Sequence, residues 1–266
     1  MEIQPFEIAD LPALSLLNPP DWDDVTPAFR YYLKTSFCHV LKVVADGKPI
    51  GVGATIHHVD TIWLSHIMVH QDFRNQGIGN IITQALVAYA QEQGFKTIFL
   101  IATALGYPVY LKNGFVVETE YLHFKKRNPE QVFQPSERIR PLTSRDQEAV
   151  FYLDEITTGE KRIEKLKEGL MDAVVFEDHG KVQGFYLPAL GDGIIVADNP
   201  EAGIDLMKYR LQQKFNAALP EGNTAGVEFL MANDFELVMA PKRMRLGEPR
   251  KWRPANLYNR IGGNLG

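Results

Sequence analysis

The sequence predicts a mixed α/β fold in two domains, and three observations predict it. Apolar runs rich in β-branched residues alternate with segments whose apolar residues recur at helical spacing. A glycine-containing turn joins one apolar run to the longest helical segment, which is the order of a strand–turn–helix unit. A similar order returns after a polar stretch, which indicates a second domain. Strand–helix–strand–helix order gives a mixed sheet with at least one parallel pair.

The first half of the chain combines short helices with strands. Asp46 and Gly47 are typical of the turn of a hairpin between two apolar runs. Gly94 ends the longest helical stripe. The predicted elements are a short helix at 11–17, a helical region at 22–35, strands at 38–44, 50–58 and 62–69, a helix at 78–93, a strand at 97–102 and a short helix from about 108 to 114.

A polar stretch with two prolines, residues 126–137, separates the two halves. We therefore predict domains at 1–127 and 136–266. The predicted elements of the second are a helix opened by a capping box at 144–147, strands at 173–176, 182–187 and 194–197, a helix at 202–214, a strand near 217–219 and a helix at about 223–233. We interpret the repeated order as an internal duplication, although an unrelated α/β segment would give a similar order.

Composition argues against several classes of protein. The formal net charge of -5 and the pI near 5.8 do not suit binding to nucleic acid or to an anionic membrane surface. Cys38 is the only cysteine, so no intrachain disulfide forms. The N-terminus lacks a secretory pattern, and no apolar stretch approaches the roughly 18 residues of a membrane helix. We expect a cytoplasmic protein, a monomer or homodimer, with no nucleic-acid or membrane partner.

The segment between the strand at 62–69 and the helix at 78–93 predicts an anion site. The first turn of a helix leaves backbone N–H groups unpaired, and the helix dipole adds positive charge there. Gly77 and Gly79 let a phosphate approach the backbone, and Arg74 adds forked donors. We therefore expect a ligand that carries a pyrophosphate. The spacing Arg-x-x-Gly-x-Gly fits neither the three-glycine dinucleotide fingerprint nor the Gly-x-x-x-x-Gly-Lys-Ser/Thr loop.

This context resembles the GNAT superfamily of N-acetyltransferases. Val69 followed by residues 74–79, Arg-Asn-Gln-Gly-Ile-Gly, matches the central motif of that family. Residues 110–115 match its Tyr-x-x-x-Gly-Phe motif. Residues 102–110 resemble the pattern Ala-Thr-x-x-Gly-x-Pro-x-Tyr of a subgroup with a second, degenerate copy of the fold, and the ending from 243 to 254 is similar to it as well. The resemblance implies an α+β mixed sheet in tandem GNAT-like domains, the second degenerate.

The resemblance also implies acetyl-coenzyme A as the cofactor. In the family the turn wraps the pyrophosphate, and the end of the preceding strand grips the pantetheine arm. The N–H of Val69 would face the carbonyl oxygen of the thioester, and such a preset donor stabilises the transition state. The implied cofactor-binding residues are Met68, Val69, Arg74, Asn75, Gln76, Gly77, Ile78, Gly79 and Asn80.

Tyr110 matches the family tyrosine that protonates the departing coenzyme A thiolate. A phenol with a pKa near 10 transfers its proton to a thiolate of similar basicity at little cost. A packing role on a short helix is the structural alternative. Tyr107 is the second choice for the acid, and Phe115 is expected in the core.

The sequence leaves the general base open. The candidates are His57, His58, Asp60, Ser65 and His66. Strand alternation places Ser65 and His66 on opposite faces, and only one face meets the substrate unless a bulge intervenes. A water molecule takes the proton in many members of the family, and the histidines lack a recognised metal-ligand spacing.

The second half departs from the pattern where the cofactor would bind. Asp198 and Glu201 bring negative charge to the corresponding turn, and Pro200 removes an N–H donor. No tyrosine stands four residues before Asp234. We expect this domain to bind no coenzyme A and to serve as a wall or lid of the acceptor site. The tail residues that either cover a cleft or pack on their own domain are Trp252, Tyr258, Gly262 and Gly263.

The sequence thus predicts an N-acetyltransferase that uses acetyl-coenzyme A and acts on the primary amine of a small-molecule or amino-acid-like acceptor. Two alternatives stay open. One is a non-catalytic acyl-coenzyme A sensor or scaffold, and the other is an enzyme that acetylates proteins or peptides.

Overall fold

The computed structural model describes residues 1–265 and divides them into two compact units. The first unit contains Met1–Val116, Met244–Glu248 and Gly263–Leu265. The second contains Val117–Arg243 and Pro249–Gly262. Two short pieces from the end of the chain therefore complete the first unit. The predicted domain boundaries, 1–127 and 136–266, stay a prediction.

The first unit has a twisted sheet with one long helix on it. Its elements are β1 (Glu2–Pro5), α1 (Leu14–Leu17), α2 (Thr26–Tyr32), β2 (Cys38–Ala45), β3 (Lys48–His57), β4 (Ile62–Val69), α3 (Ile78–Glu92), β5 (Thr97–Ala102) and α4 (Tyr107–Lys112). The strands lie in the order β1-β2-β3-β4-β5. All pairs are antiparallel except β4 with β5, which is parallel, so the predicted mixed sheet is confirmed.

Helix α3 covers the sheet because β3 has glycine where the helix approaches. A Cβ atom on Gly53 would lie 2.6 Å from Cγ2 of Ile82, and one on Gly51 would lie 2.8 Å from its Cδ1. The glycines therefore let Ile82 and Leu86 reach the backbone of β3, and both side chains are fully buried.

The second unit begins with the long strand β6. Its elements are β6 (Val116–Lys126), β7 (Ile139–Pro141), α5 (Gln147–Thr158), α6 (Ile163–Lys167), β8 (Val174–Asp178), β9 (Lys181–Leu187), β10 (Ile194–Ala197), α7 (Pro200–Arg210), β11 (Asn216–Pro220), α8 (Thr224–Ala232), β12 (Phe235–Met239), β13 (Lys242–Gly247) and β14 (Leu257–Asn259). The end of β13 belongs to the first unit, where the strand lies beside β5. In the second unit β6 pairs with β11 and β12, and a separate sheet has the order β14-β10-β9-β8-β7.

Several predicted elements have other bounds or were missed. The helix expected at 11–17 is a 3₁₀ segment, Ile8–Ala13, followed by the single turn of α1, and the region at 22–35 contains only α2. Glu7 and Asp10 form the cap one turn earlier than the apolar pattern indicates. Strands β1, β6, β7, β12, β13 and β14 and helix α6 were not predicted. Charged residues interrupt the apolar alternation of β6 and β13, and β1, β7 and β14 are only three or four residues long. Residues 127–138 form neither helix nor strand.

Candidate functional site

Strand β4 is unpaired on its β5 side along most of its length. It pairs with β5 only at Ile62 and Trp63, whereas its pairing with β3 continues as far as Val69. The two parallel strands thus separate after Trp63. The remaining residues of β4 present backbone groups at an unpaired edge, which can accept an extended ligand as an additional strand.

The backbone of Val69 faces that open edge. His70 donates its N–H to the carbonyl of Ile50 on β3 at 2.9 Å. Because backbone groups of successive strand residues point to opposite sides, the N–H and C=O of Val69 point away from β3. Nε of Arg74 donates to the Val69 carbonyl at 3.2 Å. The N–H of Val69 is the group left for a ligand.

The same alternation turns the backbone of Met68 toward β3. Its carbonyl lies on the Gly51 side, 3.1 Å from where a Cβ of Gly51 would stand. The Met68 side chain is buried. Of the two residues at the end of β4 that were predicted to bind the pantetheine arm, only Val69 presents its backbone at the open edge.

The turn after β4 has the backbone that its sequence requires. Asn75 and Gly77 both have positive φ, 61° and 83°. These left-handed residues bring the chain back so that α3 starts at Ile78. Gly77 caps α3 without a side-chain acceptor, and its carbonyl accepts from Ile81. The N–H groups before Ile81 therefore remain available to an anion.

The glycines of this turn adjoin open space and suit a pyrophosphate. A Cβ on Gly77 would meet nothing within 4 Å, and one on Gly79 would meet only Cγ2 of Val69 at 3.8 Å. Packing therefore does not require glycine at position 79, whereas close approach of a phosphate to the backbone does. Arg74 supplies the positive charge, and the Asp72 carboxylate, which is 72% exposed, stands in solvent.

The other predicted cofactor residues differ in their roles. Gln76 is tied back, because its Nε2 donates to the carbonyl of Asp72 at 3.0 Å. Ile78 is fully buried in the core below α3, so only its backbone is available. Oδ1 of Asn80 accepts from Nδ2 of Asn113 at 2.8 Å, which ties the start of α3 to the end of α4.

Tyr110 lies on α4, and its ring folds back over Gly106. A Cβ on Gly106 would lie 2.7 Å from the Tyr110 ring and 3.1 Å from its hydroxyl. Gly106 lies four residues after the last residue of β5, so the hydroxyl stands beside the loop that leaves the carboxyl end of that strand. Burial raises the pKa of Tyr110 to about 12, so its phenol stays protonated. No role was predicted for Gly106, although the motif at residues 102–110 contains this glycine.

Three of the candidate bases lie at the far end of β4. His57 ends β3 opposite Ile62, and His58 and Asp60 lie in the turn that follows it. At about 3.3 Å per residue, Ile62 is about 23 Å from Val69 along the strand. His57 packs on Tyr89 and Phe95, and burial lowers its pKa to about 4. These residues are too far from Val69 to act on a thioester held there.

A β-bulge resolves the question of which face His66 occupies. Ala54 pairs with Ser65 and Val52 with Met68, so Gly53 alone faces two residues of β4. His66 has a φ of 46°, and the faces exchange at this point. Before the bulge Leu64 packs in the core with α3, and after it Val69 does. Ser65 and His66 therefore lie on the same face of β4, away from α3, and the prediction that they lie on opposite faces is wrong.

Ser65 and His66 belong to a polar cluster that the sequence did not reveal. Nδ1 of His66 lies 2.8 Å from the Ser65 hydroxyl and 2.8 Å from that of Tyr32. Nδ2 of Asn264 donates to the Tyr32 hydroxyl at 2.8 Å. In the sequence, Tyr32 has the pattern of a packing residue of α2. Asn264 is 198 positions from His66, so no local pattern connects these residues.

Within residues 1–265, no group of three or more histidine, cysteine, aspartate or glutamate residues is placed to hold a metal ion. In the same range no helix is long and apolar enough to cross a membrane.

The geometry can now be set beside known proteins. Residues 7–115, which contain the open strand, the glycine turn and Tyr110, match the model of the acetyltransferase (GNAT) family. The chain carries a GNAT acetyltransferase domain. Acetyl-coenzyme A is the typical cofactor of that family. Among curated protein sequences, none is a significant match to the chain.

Solved structures share the GNAT fold over nearly the whole chain. A protein of Pyrococcus horikoshii, described as a candidate acetyltransferase, is 21% identical with a TM-score of 0.83 and covers 100% of this chain and 95% of its own. A GCN5-related N-acetyltransferase of Sphaerobacter thermophilus is 16% identical with a TM-score of 0.65, covering 92% and 95%. A tandem GNAT protein from the clavulanic acid biosynthesis pathway is 13% identical with a TM-score of 0.63, covering 93% and 99%. These likenesses confirm the predicted tandem fold.

Proposed function

We propose that this protein is an N-acetyltransferase that transfers the acetyl group of acetyl-coenzyme A directly to a primary amine of a small-molecule or amino-acid-like acceptor. The observation that carries the proposal is the open edge of β4, which ends in the glycine turn at the start of α3. One edge thus offers a strand partner for a pantetheine arm and an anion site for a pyrophosphate. We keep 1–127 as the domain that binds the cofactor and 136–266 as the degenerate domain.

The backbone of Val69 supplies the electrostatic part of the mechanism. Its N–H is preset at the open edge, where it donates to the carbonyl oxygen as that oxygen gains negative charge. A fixed donor of this kind contributes about 3 kcal/mol to the transition state. Acetyl-coenzyme A supplies an activated acetyl group as a thioester.

Tyr110 supplies the proton for the leaving thiolate. Burial keeps the phenol neutral, because the charged phenolate would be desolvated among apolar side chains. The same apolar surroundings raise the basicity of a thiolate beside it, which offsets the raised pKa of the phenol. Val69 and Tyr110 are therefore the proposed catalytic residues.

Two measurements on the intact protein test the proposal. Calorimetric titration with acetyl-coenzyme A should show binding, and free-thiol release should accelerate with at least one member of a panel of amines, amino acids and peptides. Binding without thiol release for any acceptor would favour a sensor or scaffold instead. Release with peptides alone would favour an enzyme that acetylates proteins, and absence of binding would contradict the proposal.

A further inference from the structure

A second polar site lies on β4 beside the proposed thioester position. It consists of Tyr32, Ser65, His66 and Asn264, which we call the His66 cluster. Three of its contacts are 2.8 Å long, and the hydroxyls of Tyr32 and Ser65 are 3.2 Å apart. All four residues belong to the first unit. The proposed roles of Val69 and Tyr110 do not use this cluster.

Aromatic rings enclose the imidazole of His66. The ring centroids of Trp22, Phe29 and Tyr32 lie 6.1, 5.8 and 5.6 Å from that of His66. Phe29 and Tyr32 are almost completely buried. In these surroundings the charged imidazolium is poorly solvated, and burial lowers the pKa of His66 to about 4. The imidazole is thus unprotonated at neutral pH, although burial also makes it a weaker base than a free imidazole.

The contacts of the cluster hold one ring nitrogen of His66, Nδ1. Both hydroxyls of the cluster meet Nδ1 of His66, which fixes the orientation of the ring. Nε2 lies on the opposite side of the ring. When Nδ1 donates to the hydroxyls, Nε2 presents its lone pair, which is the arrangement of a general base whose ring is held by a partner.

The bulge in β4 places His66 in a strained backbone conformation. A left-handed conformation is uncommon for a residue other than glycine, and His66 adopts it with a φ of 46°. His66 stands three residues before Val69, about 10 Å along the strand. Proton transfer over this distance requires water molecules between the imidazole and a nucleophile at the thioester.

The end of the chain takes part in the cluster. The amide NH2 of Asn264 only donates, so the Tyr32 oxygen accepts there, and when Nδ1 of His66 also donates to that oxygen, the Tyr32 proton is directed to Ser65. A substitution at position 264 should therefore reach His66 through Tyr32. The titratable groups of the cluster are His66 and Tyr32, with Cys38 next to Tyr32.

We propose that His66 accepts the proton of the acceptor amine and that Tyr32 and Asn264 are positioning residues for its imidazole. This inference rests on the proposed acetyltransferase function. The amine nitrogen forms the bond to the acetyl carbon as the carbon–sulfur bond breaks. The amine proton passes to Nε2 of His66 through water, and the thiolate takes the proton of Tyr110. His66 then releases its proton to solvent, and Tyr110 regains one.

The test uses the intact protein with acetyl-coenzyme A and the amine of the panel with the fastest turnover. For His66→Ala we expect the kcat for the acetylated amine to fall by about 100-fold or more, with little change in cofactor affinity. Added imidazole should restore part of the rate, which a purely structural defect would not permit. His57→Ala is the matched control, because His57 is half-buried like His66 and lies at the far end of β4. Its kcat should stay near wild type.

A double-mutant cycle tests the role of Asn264. Asn264→Leu and Tyr32→Phe should each lower kcat more than they raise KM. Neither should lower kcat further when His66 is already alanine, because a residue that acts through His66 has nothing left to position. Full additivity would mean that Asn264 acts independently of His66 and would overturn its assignment.

The outcomes separate the inference from the proposed function. If the wild type binds acetyl-coenzyme A and acetylates an amine while His66→Ala does so at a similar rate, solvent water takes the proton and the inference is wrong. A loss of rate that imidazole does not restore assigns His66 a structural role and also overturns it. If the wild type acetylates no amine, the proposed function fails and this inference fails with it.

Discussion

The molecule contains two strand–turn–helix segments, one from β4 to α3 and one from β10 to α7. The first leaves its helix start open to a ligand, whereas the second fills it with the protein's own residues. In the first unit eight residues connect β4 to α3, and in the second only two connect β10 to α7. The first helix begins at glycine with its N–H groups open to a ligand. At the start of the second helix, the side chain of Asn199 accepts from the N–H of Ala202 at 3.0 Å. The second unit thus satisfies its helix start with its own side chain.

The strands that precede these helices differ in the same way. Strand β4 has an open edge beyond Trp63, whereas β10 is paired on both sides. Its second partner is β14, where Leu257 lies opposite Val196. The end of the chain thereby occupies the edge that would have to be free for a ligand. Tyr258 packs in the core of its own unit, and Trp252 lies over Arg243.

Charge adds to the difference. Glu201 stands in the first turn of α7, where it forms an ion pair with Arg138. The corresponding turn of α3 has no acidic residue in the described chain. The second unit therefore differs from the first in more than its missing glycines. Its strand edge is occupied by β14, and its helix start is capped by Asn199.

The largest expected effect comes from giving the first turn a negative charge. Gly77→Asp should weaken the affinity for acetyl-coenzyme A by about 100-fold, because a carboxylate near a pyrophosphate costs about 3 kcal/mol at intermediate dielectric. Isothermal calorimetry measures it. Gly94→Asp is the matched control, because Gly94 has the same φ of 83°, also adjoins open space and lies beyond the other end of α3. Equal affinities for the two variants would contradict the assignment of the turn.

The second-largest effect is expected on kcat, from replacing the proposed general acid, Tyr110. Tyr110→Phe should lower kcat by about 100-fold or more and leave cofactor binding unchanged, because only the proton donor is lost. Steady-state kinetics with an identified acceptor and calorimetry give the two quantities. Tyr89→Phe, a change elsewhere in the first unit, should behave as wild type. Should Tyr107→Phe show the loss instead, the second-choice acid is the right one.

Glycine-to-alanine substitutions in α3 and α7 test whether each glycine serves ligand binding or packing. Gly203→Ala should lower the free energy of unfolding by about 1–3 kcal/mol, because its Cβ would lie 2.2 Å from the ring of Tyr258. Gly79→Ala should leave that free energy unchanged or raise it by up to about 1 kcal/mol, yet it should weaken cofactor binding. Denaturant melts and calorimetry report the two effects. If Gly79→Ala destabilises the protein without affecting binding, Gly79 is a packing residue.

The smallest expected effect is the absence of a second binding event. Calorimetric titration of the intact protein should give one acetyl-coenzyme A per chain. Removing the charge of the second turn with Asp198→Asn and Glu201→Gln should leave the stoichiometry at one, because Asn199 and β14 still occupy the site. A second cofactor in either protein would overturn the view that the second unit has lost its site.

The structure also has a consequence for a fragment that ends at the predicted domain boundary. A chain that ends near Arg127 would contain the predicted first domain but lack β13 and Asn264. Met244 is completely buried in the core of the first unit, and Asn264 completes the His66 cluster. We therefore expect such a fragment to be less stable than the intact first unit, as a thermal melt would show.

The sequence alone determined the parts of the molecule that depend on local order. The hydrophobic period and glycine positions placed β4 and β5 at their bounds and α3 within one residue, because those signals act over a few positions. The same local signals pointed to the turn and to Tyr110 as a candidate acid. They also indicated that the second turn, with Asp198 and Glu201, does not suit a pyrophosphate.

Only the tertiary structure decided how distant segments combine. The separation of β4 from β5, the bulge at His66 and the pairing of β14 with β10 depend on strand register, which sequence spacing does not encode. The contact of Asn264 with Tyr32 joins residues 232 positions apart, so no periodic pattern could reveal it. Chemistry that is carried by contiguous motifs can be predicted from the sequence, whereas a side-chain cluster assembled from three distant segments exists only after folding.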